Sequence, residues 1–285
     1  MANATTTSPP PSPSFIISYP APFVLLVTIN RERAMNSVDT TAHWQAESIF
    51  DWYDQEPSLR VAIITGAGTK SFCAGADLIE QGKLNMPDQG GPGAPHKAVQ
   101  RYPPGGFAGI SLATHRKKPI IAAVNGYALG GGFEIVLNCD MVVASPTAVF
   151  GLPEAARGLA ANAGGLPRLM RLCGLQVASE IALTGRKLSA EEALRLNLVN
   201  KISQTQHSLV QEAVELAERV ASFSPDAIIV SRFAIREAWQ QVSVEQANRV
   251  AQDRFARALY KGENAQIGLD AFAQKKEPRW RPSNL

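Results

Sequence analysis

Residues 120–134 read IIAAVNGYALGGGFE, and this stretch determines the fold class. It opens with five apolar residues, Ile120 to Val124, which is typical of a buried strand. Three consecutive glycines, Gly130 to Gly132, lead into a segment that predicts a helix from Phe133 to Asn138. A buried strand that passes through a glycine turn into a helix is a unit of α/β proteins.

Other segments repeat this order of strand, turn and helix. Phe15 to Asn30 is rich in β-branched and apolar residues and predicts a hairpin of two strands. Ser37 to Gln55 predicts a helix, Val61 to Thr65 a buried strand and Met141 to Ala144 a further strand. Ser189 to Glu192 is a capping box that opens a short helix. The sequence therefore predicts an α/β fold.

The pattern changes beyond about residue 204, where no further strand is predicted. Apolar residues spaced three and four apart predict an amphipathic helix there: Leu209, Ala213, Leu216, Val220 and Phe223. Further helical segments reach Lys276. We predict a disordered Thr/Ser/Pro-rich tail over residues 1–14, a core domain over 15–203 and a C-terminal helical region over 204–285. The apolar faces of that region must pack on the core or on another subunit.

The composition argues against several classes of protein. The 28 basic and 25 acidic residues give a formal net charge of +3, too small to predict nucleic-acid binding. No apolar run reaches the ~20 residues of a membrane helix, and the polar first residues do not predict a secretory signal. Three cysteines without C-x-x-C spacing favour an intracellular, reducing compartment. The last residues, Ser283 to Leu285, differ at one position from the peroxisomal S-K-L address, so peroxisome and cytoplasm both stay open.

Three other features fail as functional motifs. Gly66 to Ser71 follows a strand, but Ser71 replaces the third glycine of G-x-G-x-x-G and no glycine precedes Lys70 as in a P-loop. Cys73 is better explained as a small buried hydrophobic residue than as a nucleophile, because the sequence places no histidine near it. The four histidines form no cluster, so no metal site is predicted: His43, His96, His115 and His207.

Three segments together predict an active site. Phe72 to Leu78 reads FCAGADL, and its small residues let a ligand approach the backbone. Gly130 to Gly132 open a helix whose first N–H groups attract negative charge. Two such loops can offer two N–H donors to one oxygen, which is an oxyanion hole. The third segment, Phe150 to Glu154, adds a second carboxylate to that of Glu134, so these two glutamates are the candidate acid–base pair.

Each of these features also has an ordinary structural explanation. The glycines could serve tight helix–sheet packing, and Glu134 could be a first-turn glutamate that the helix dipole stabilises. Glu154 could be a solvated loop residue. Both carboxylates, however, lie beside loops that expose the backbone, and their joint placement favours a functional role.

The segments AAVNGYALGGGFE (122–134) and FCAGAD (72–77) resemble those of the crotonase superfamily, the enoyl-CoA hydratase/isomerase family. The resemblance extends from about Phe15 to Trp280. It implies a crotonase-like spiral of ββα units with a C-terminal helical trimerisation region. It further implies an enzyme that acts on acyl-CoA, needs no cofactor besides the coenzyme A of its substrate, and forms a homotrimer or a dimer of trimers.

Carried over by position, the oxyanion N–H groups are those of Ala76 and Gly131, which would hold the thioester oxygen. Glu134 would activate the water that adds at Cβ, and Glu154 would deliver a proton to Cα. The implied reaction is hydration of a 2-enoyl-CoA to a 3-hydroxyacyl-CoA, or the reverse dehydration. Because both carboxylates are present, this hydro-lyase reaction is favoured over Δ3–Δ2 enoyl-CoA isomerisation or other acyl-CoA enolate chemistry, which stay open as alternatives.

A role in RNA binding, which some relatives of this fold possess, is a remote further alternative. It would need a row of surface lysines on one helix, and the early helix over 37–55 contains no lysine. The acyl group, the preferred direction and the choice between β-oxidation and specialised biosynthesis stay open.

The resemblance also implies contacts to coenzyme A. Arg33 is the candidate for the phosphates, and the carbonyl of Ala74 for the adenine amino group. Phe272 and Lys275 would lie near the adenosine end, in this subunit or a neighbouring one. The remaining candidates flank these loops: Ala34, Asp77 and Leu78.

The sequence departs from the family pattern at three places. Ile79 stands where mitochondrial hydratases carry a lysine for the phosphates of coenzyme A, so that contact is lost or moved. Leu159 to Asn162 replaces the usual proline-containing turn in the region that shapes the acyl pocket. Gln81 to Gly109 is rich in Pro and Gly and predicts a lid, but it indicates no chain length for the acyl group.

Overall fold

Short strands alternate with helices along most of the chain. The computed structural model describes residues 5–84, 102–113, 116–241 and 243–285. Its strands are β1 (Phe15–Ala21), β2 (Val24–Ile29), β3 (Val61–Gly66), β4 (Ser71–Cys73), β5 (Ile120–Val124), β6 (Tyr127–Leu129), β7 (Met141–Ala144), β8 (Val149–Gly151), β9 (Leu188–Ser189) and β10 (Lys201–Ile202). Its α-helices are α1 (Thr40–Gln55), α2 (Leu78–Leu84), α3 (Gly131–Asn138), α4 (Gly165–Cys173), α5 (Leu175–Thr184), α6 (Ala190–Arg195), α7 (Leu209–Ala221), α8 (Pro225–Gln240), α9 (Val244–Lys261) and α10 (Glu263–Gln274).

The strands form two sheets, and successive strands from β3 to β8 alternate between them. The larger sheet has the order β1-β2-β3-β5-β7-β10 and the smaller one the order β4-β6-β8-β9. In the larger sheet only the β1–β2 hairpin is antiparallel. Each successive pair of strands therefore contributes one strand to each sheet, and the chain advances as a spiral of ββα units. The predicted α/β class and the spiral architecture are confirmed.

The continuous apolar runs reflect burial on both faces of the larger sheet. Along β5, Ile120, Ala122 and Val124 join the main core, which includes apolar residues of α1 and α3. Ile121 and Ala123 point the other way and pack against α7. Neighbouring side chains on a strand face opposite sides of the sheet, so a strand covered on both faces has no polar alternation.

A buried asparagine marks the point where the chain crosses from the larger sheet to the smaller one. The Asn125 side chain donates to the carbonyl oxygens of Gly66, Gly68 and Ser71, at 2.9, 2.7 and 3.2 Å. Its own oxygen accepts from the N–H of Gly66 at 3.2 Å. These bonds satisfy the backbone where β3 ends and β4 begins, and a buried backbone group left without them would be unfavourable. Asn125 thus fixes the exit of β5 directly before the glycine turn.

The predicted elements agree with the structure apart from their ends and the shortest strands. The first helix begins at Thr40 rather than Ser37, because Asp39 caps it by accepting from the Ala42 N–H at 2.8 Å. Of the predicted capping box the Ser189 N-cap is confirmed, since Ser189 Oγ accepts from the Glu192 N–H, whereas the Glu192 carboxylate pairs with Arg186 at 2.8 Å. Five strands were not predicted, because two or three residues are too few to show a period: β4, β6, β8, β9 and β10.

The N-terminal segment was predicted to be a disordered tail, and its described part instead makes defined contacts. Thr6 and Thr7 each donate an N–H and a hydroxyl to the carboxylate of Glu56, at 2.6–3.0 Å. The Trp52 indole N–H donates to the Thr7 hydroxyl at 2.8 Å. Polar bonds rather than apolar contacts hold this segment, which is why its composition resembles that of a disordered chain. Of the predicted lid, residues 85–101 lie outside the described residues.

The last nine residues, Glu277 to Leu285, form a C-terminal strap that runs back along the helical region. The Trp280 indole N–H donates to the Ser222 carbonyl at 2.8 Å. The buried side chain of Asn264 on α10 accepts from the Arg281 N–H at 2.8 Å and donates to its carbonyl at 3.1 Å. The same amide donates to the Asp226 carboxylate at 2.8 Å, so one side chain joins α10, α8 and the strap. No helix in the described ranges is long and apolar enough to cross a membrane.

Loss of the Asn264 amide should loosen this helical region. Asn264→Ala removes three hydrogen bonds and leaves the buried Asp226 carboxylate with one donor fewer. We expect the free energy of unfolding to fall by about 2 kcal/mol in urea denaturation. Gln266→Ala, at an exposed position of the same helix, is the matched control and should change it by less than about 0.5 kcal/mol. Equal values for the two variants would contradict this role of Asn264.

Candidate active site

The three glycines Gly130 to Gly132, at the start of α3, pack against a second loop and lie next to one of the two carboxylates. Gly130 has φ 55° and ψ −127°, a conformation open only to glycine, and a Cβ there would lie 2.9 Å from Glu154 Oε1. A Cβ on Gly132 would overlap the carbonyl oxygen of Cys73. Gly130 thus leaves room for a carboxylate and Gly132 allows tight packing on β4. The tight helix–sheet packing considered for the glycines is therefore present at Gly132.

The backbone N–H groups predicted for the oxyanion hole lie on these adjoining loops. A Cβ on Gly75 would be 3.4 Å from the nitrogen of Gly131, so the two loops meet at this point. Val38 pairs with the residues on either side of Ala76, its N–H donating to Gly75 and its carbonyl accepting from Asp77. The N–H groups of Ala76 and Gly131 have no acceptor among the described residues. Both are therefore available to a ligand oxygen.

Glu134 lies on the first turn of α3 and is 3% exposed. Its Oε1 accepts from the N–H of Gly165, at the start of α4, at 2.8 Å. Burial raises the pKa of Glu134 from its ordinary value near 4.5 to about 7. The Gly165 N–H opposes this rise in pKa, whereas the charge of nearby Glu154 adds to it. Glu134 can therefore either hold or release a proton near neutral pH.

Glu154 begins a short 3-10 helix, Glu154–Arg157, directly after β8. The side chain is half-buried, and burial raises its pKa above the ordinary value, with opposing effects from a backbone N–H and the charge of Arg157. Its Oε2 is buried and has no hydrogen-bond partner among the described residues. A buried carboxylate oxygen without a donor is unfavourable in a finished structure, and is explained if a substrate group or water completes it.

Some of the candidate residues for coenzyme A lie close together, and others lie apart. The carbonyl of Met35, the residue after Ala34, accepts from the Ala74 N–H at 3.1 Å, so the segments that contain Ala34 and Ala74 are in contact. Asp77 caps α2 and accepts from Arg31 at 3.1 Å, so its carboxylate has a structural partner. The side chain of Leu78 is exposed. Phe272 on α10 and Lys275, directly after that helix, also have exposed side chains, and neither has a described contact to the two loops. Arg33 is likewise exposed.

Several residues at the site were not assigned a role from the sequence. Gly165, which donates to Glu134, was visible only as part of a Gly/Ala-rich helix start. Phe107 packs on Gly131, and its position after two glycines gave no signal of that contact. Arg31, rather than Arg33, is the arginine that pairs with Asp39 and Asp77. These roles depend on contacts between distant segments, which single-sequence patterns do not contain.

Cys73 has the environment of a core residue. It is fully buried, and burial raises the pKa of its thiol to about 12. A thiol that keeps its proton at neutral pH is a poor nucleophile. The prediction of a small buried hydrophobic residue is confirmed.

The sequence matches a known protein family over nearly the whole fold. A model of the Enoyl-CoA hydratase/isomerase family matches residues 22–283. The chain belongs to this family. It is thus an enzyme of the crotonase superfamily, as its two glycine-containing segments predicted.

The chain is similar to curated relatives along its full length. It is 43% identical over 281 residues to mevalonyl-coenzyme A hydratase of Aspergillus fumigatus, covering 99% of this chain and 100% of that one. The corresponding protein of Beauveria bassiana is 43% identical over 280 residues, with 98% and 99% covered. Carnitinyl-CoA dehydratase of Escherichia coli K12 is 37% identical over 264 residues, with 90% and 95% covered.

Solved structures agree with this placement. The enoyl-CoA hydratase of Bacillus anthracis superposes with a TM-score of 0.83 at 32% identity, covering 95% of this chain and all of that one. The enoyl-CoA hydratase of Mycobacterium tuberculosis gives the same values. The crotonase fold is therefore shared from the first hairpin to the C-terminal helices.

The raised pKa of Glu134 predicts a pH-dependent stability. Its carboxyl keeps a proton up to about pH 7 in the folded chain but loses it near pH 4.5 when unfolded, so raising the pH through this range favours unfolding. Glu134→Gln removes the titration and keeps an oxygen for the Gly165 N–H. We expect the variant to exceed the wild type in stability by up to about 3 kcal/mol at pH 8, and by less than about 1 kcal/mol at pH 5.

Urea denaturation at the two pH values measures this difference. Glu218→Gln, at an exposed position of α7, is the matched control and should show no pH-dependent gain. A constant difference between Glu134→Gln and wild type across pH 5–8 would contradict the raised pKa.

Proposed function

We propose that the chain is a hydro-lyase that interconverts a 3-hydroxyacyl-CoA and the corresponding 2-enoyl-CoA. The observation that supports this is the meeting of a buried carboxylate, Glu134, and a half-buried one, Glu154, with two backbone N–H groups that have no acceptor among the described residues. Hydration and dehydration require an acid and a base on the acyl chain together with an oxyanion site for the thioester. The same arrangement supports acyl-CoA as the substrate class, with no cofactor besides its own coenzyme A.

In the proposed dehydration, the thioester oxygen accepts from the N–H groups of Ala76 and Gly131. Glu154 removes the proton from Cα, and the electron pair moves onto the thioester oxygen as an enolate. Glu134, in its protonated form, gives its proton to the 3-hydroxyl group, the C3–O bond breaks, and water leaves as the double bond forms. Each oxyanion donor is expected to contribute ~3 kcal/mol to the transition state. Hydration runs through the same steps in reverse.

The relatives suggest an acyl group that carries a polar group beyond C3 rather than a plain fatty chain. Mevalonyl-CoA has a hydroxyl and a methyl group at C3 and a second hydroxyl at C5, whereas carnitinyl-CoA has a quaternary ammonium group beyond its 3-hydroxyl. Both are 3-hydroxyacyl thioesters with a polar group further along the chain. We place the substrate in this class, with mevalonyl-CoA the preferred member.

A half-buried arginine favours a hydroxyl over a cationic group. Arg168 on α4 donates to the Gly164 carbonyl at 3.1 Å, in the turn that contacts Glu134. Burial lowers the pKa of Arg168 to about 10, a value at which it still carries its charge at neutral pH. A guanidinium can donate to a hydroxyl group but repels a quaternary ammonium. This charge beside the acid–base pair supports a neutral, oxygen-bearing acyl group.

The two glutamates should both be required. Glu134→Gln and Glu154→Gln each remove one proton-transfer group without a large change in volume, so we expect kcat for dehydration of mevalonyl-CoA to fall at least 100-fold in each. Glu218→Gln is the control and should retain wild-type kcat. Unaltered turnover in both site variants would exclude this mechanism, whereas loss in only one would favour the isomerase or another enolate reaction.

A substrate series separates the proposed acyl group from its neighbours. We expect kcat/KM for mevalonyl-CoA to exceed that for 3-hydroxybutanoyl-CoA or carnitinyl-CoA by at least tenfold, because unpaired polar groups in a site built for a hydroxyl are unfavourable. The measurement is initial dehydration rate at equal enzyme concentration. A preference for the unsubstituted chain would instead support fatty-acid metabolism.

A homotrimer, or a dimer of trimers, is part of the same proposal. Large apolar side chains of the last three helices are well exposed in the single chain, among them Ile235, Tyr260, Leu269 and Phe272. A second copy that covers these helices would remove this apolar area from water. Light scattering in solution measures the assembly, and a stable monomer would exclude it.

We propose an intracellular location, in the peroxisome or the cytoplasm. Ser283 donates its hydroxyl to Asp226, and the carbonyl of Leu285 accepts from Lys117 at 2.8 Å. A receptor that reads the last three residues would have to displace these bonds. If the tripeptide directs the protein to peroxisomes, removal of Leu285 should shift a fluorescent fusion to the cytoplasm.

A further inference from the structure

A buried aromatic ring lies directly against the glycine that carries one oxyanion N–H. Phe107 is 2% exposed, and a Cβ on Gly131 would overlap its ring atoms. The position of the Gly131 backbone is therefore limited on this side by the ring. Movement of Phe107 toward α3 would push on the Gly131 backbone, and loss of the ring would remove its support on this side.

The loop that carries Phe107 has a strained backbone. Ala108 has φ 49° and ψ 35°, in the left-handed region, between Gly106 at φ 79° and Gly109 at φ 62°. The two glycines adopt such angles freely, but for alanine this region is unfavourable by roughly 1–2 kcal/mol. A strained residue persists only where its surroundings hold it. The contacts that hold Ala108 in this conformation therefore also fix the backbone next to Phe107.

A histidine of α1 holds Ala108. His43 is 3% exposed, and its Nδ1 accepts from the Ala108 N–H at 2.9 Å. Its ring also meets the Phe107 ring edge-on, with centroids 4.5 Å apart and planes at 82°. Burial lowers the pKa of His43 to about 4, although the charge of Asp39 opposes this. The imidazole is thus neutral at working pH, and Nδ1 is free to accept.

A second residue of the same helix holds the start of the loop. Glu47, one turn after His43, accepts from the Gly105 N–H at 3.1 Å. Arg116 lies 3.2 Å from the Glu47 carboxylate and donates to the Gly109 carbonyl at 3.3 Å. The loop from Gly105 to Gly109 is therefore fixed at both ends and at its strained centre. The Phe107 N–H itself donates to Ser111 Oγ at 2.8 Å, and the bond from Ala108 to His43 holds the strained residue next to it.

We infer that His43 is a positioning residue for the oxyanion hole, acting through Ala108 and Phe107 on the N–H of Gly131. This inference rests on the oxyanion role proposed above for that N–H group. His43 touches neither substrate nor the two glutamates in this assignment. Its contribution is to hold Ala108 in a conformation that alanine disfavours, so that the Phe107 ring supports Gly131.

Four variants test the inference through the rate of dehydration. His43→Leu keeps apolar volume but removes the acceptor, and we expect kcat to fall about tenfold, with KM changed less than twofold, because a displaced donor weakens the transition state more than the bound substrate. His43→Asn keeps an acceptor at the same branch point and should stay within about threefold of the wild-type kcat. Phe107→Leu should lower kcat as His43→Leu does. His207→Leu, at an exposed histidine, is the control.

A rescue experiment separates positioning from general stability. Ala108→Gly removes the strain that His43 offsets, because glycine adopts the left-handed region freely. In the His43→Leu background it should restore kcat to within about threefold of wild type, although it does not replace the lost hydrogen bond or packing. If His43→Leu or Phe107→Leu keeps the wild-type kcat, or if Ala108→Gly restores nothing, the inference is overturned.

A binding measurement keeps this test separate from the proposed reaction. Acetoacetyl-CoA gives an enolate when its Cα proton passes to a carboxylate of the site, and the enolate absorbs in the near ultraviolet. We expect the band to appear with wild type and to weaken about tenfold with His43→Leu, while the dissociation constant of free coenzyme A stays unchanged. Wild type that forms the band but dehydrates no 3-hydroxyacyl-CoA would refute the proposed function alone, whereas equal bands in both proteins would refute the role of His43.

Discussion

The close approach of two backbones, at the start of α3 and the end of β4, is the constraint on which the site depends. No side chain fits between Gly132 and the carbonyl of Cys73, and a Cβ on Gly75, which has φ 94°, would crowd the Leu129 carbonyl oxygen at 3.0 Å. This contact brings the N–H groups of Ala76 and Gly131 to one place although more than fifty residues separate them in the sequence. The spiral of strands supplies the approach, because β4 and β6 are parallel neighbours in the smaller sheet. Asn125 then ties the end of β3 to the turn that leads into β6 and α3.

The same packing gives the two glutamates their properties. Glu134 is buried because α3 lies within the core, and Glu154 follows β8, the strand beside β6. Both pKa values are raised chiefly by burial, that of Glu134 to about 7, so Glu134 can exchange a proton near neutral pH. Gly165 supplies one N–H to Glu134 and so orients the carboxylate without neutralising it. The proposed acid–base pair and the proposed oxyanion site thus share one structural origin, the tight turn between β6 and α3.

The sequence contained much of this arrangement because the decisive contacts are local or carry a strong motif. The strands β3, β5 and β7 are continuous apolar runs, and the glycines and glutamates stand beside them in order. The contacts that the sequence did not reveal join distant segments: Gly165 to Glu134, Phe107 to Gly131 and His43 to Ala108. A strained alanine has no signature in composition or spacing, and neither does a histidine whose role is to accept one backbone bond. The ordered contacts of the N-terminal segment were not predicted for a related reason. Its composition is typical of disordered segments, and a few polar bonds to Glu56 hold it in place.

The C-terminal strap and the N-terminal segment converge on the same corner of the molecule. Thr6 and Thr7 bind the Glu56 carboxylate just after α1 ends, while Lys118 donates to the Glu56 carbonyl and its neighbour Lys117 holds Leu285. The C-terminal end of α1 is thus linked to one segment directly and to the other through Lys117 and Lys118. Because these bonds oppose local opening of the helix end, we expect slow amide hydrogen exchange in the last turn of α1. At its other end, α1 follows Val38, whose backbone pairs with Gly75 and Asp77, so one helix connects both peripheral segments to the candidate site.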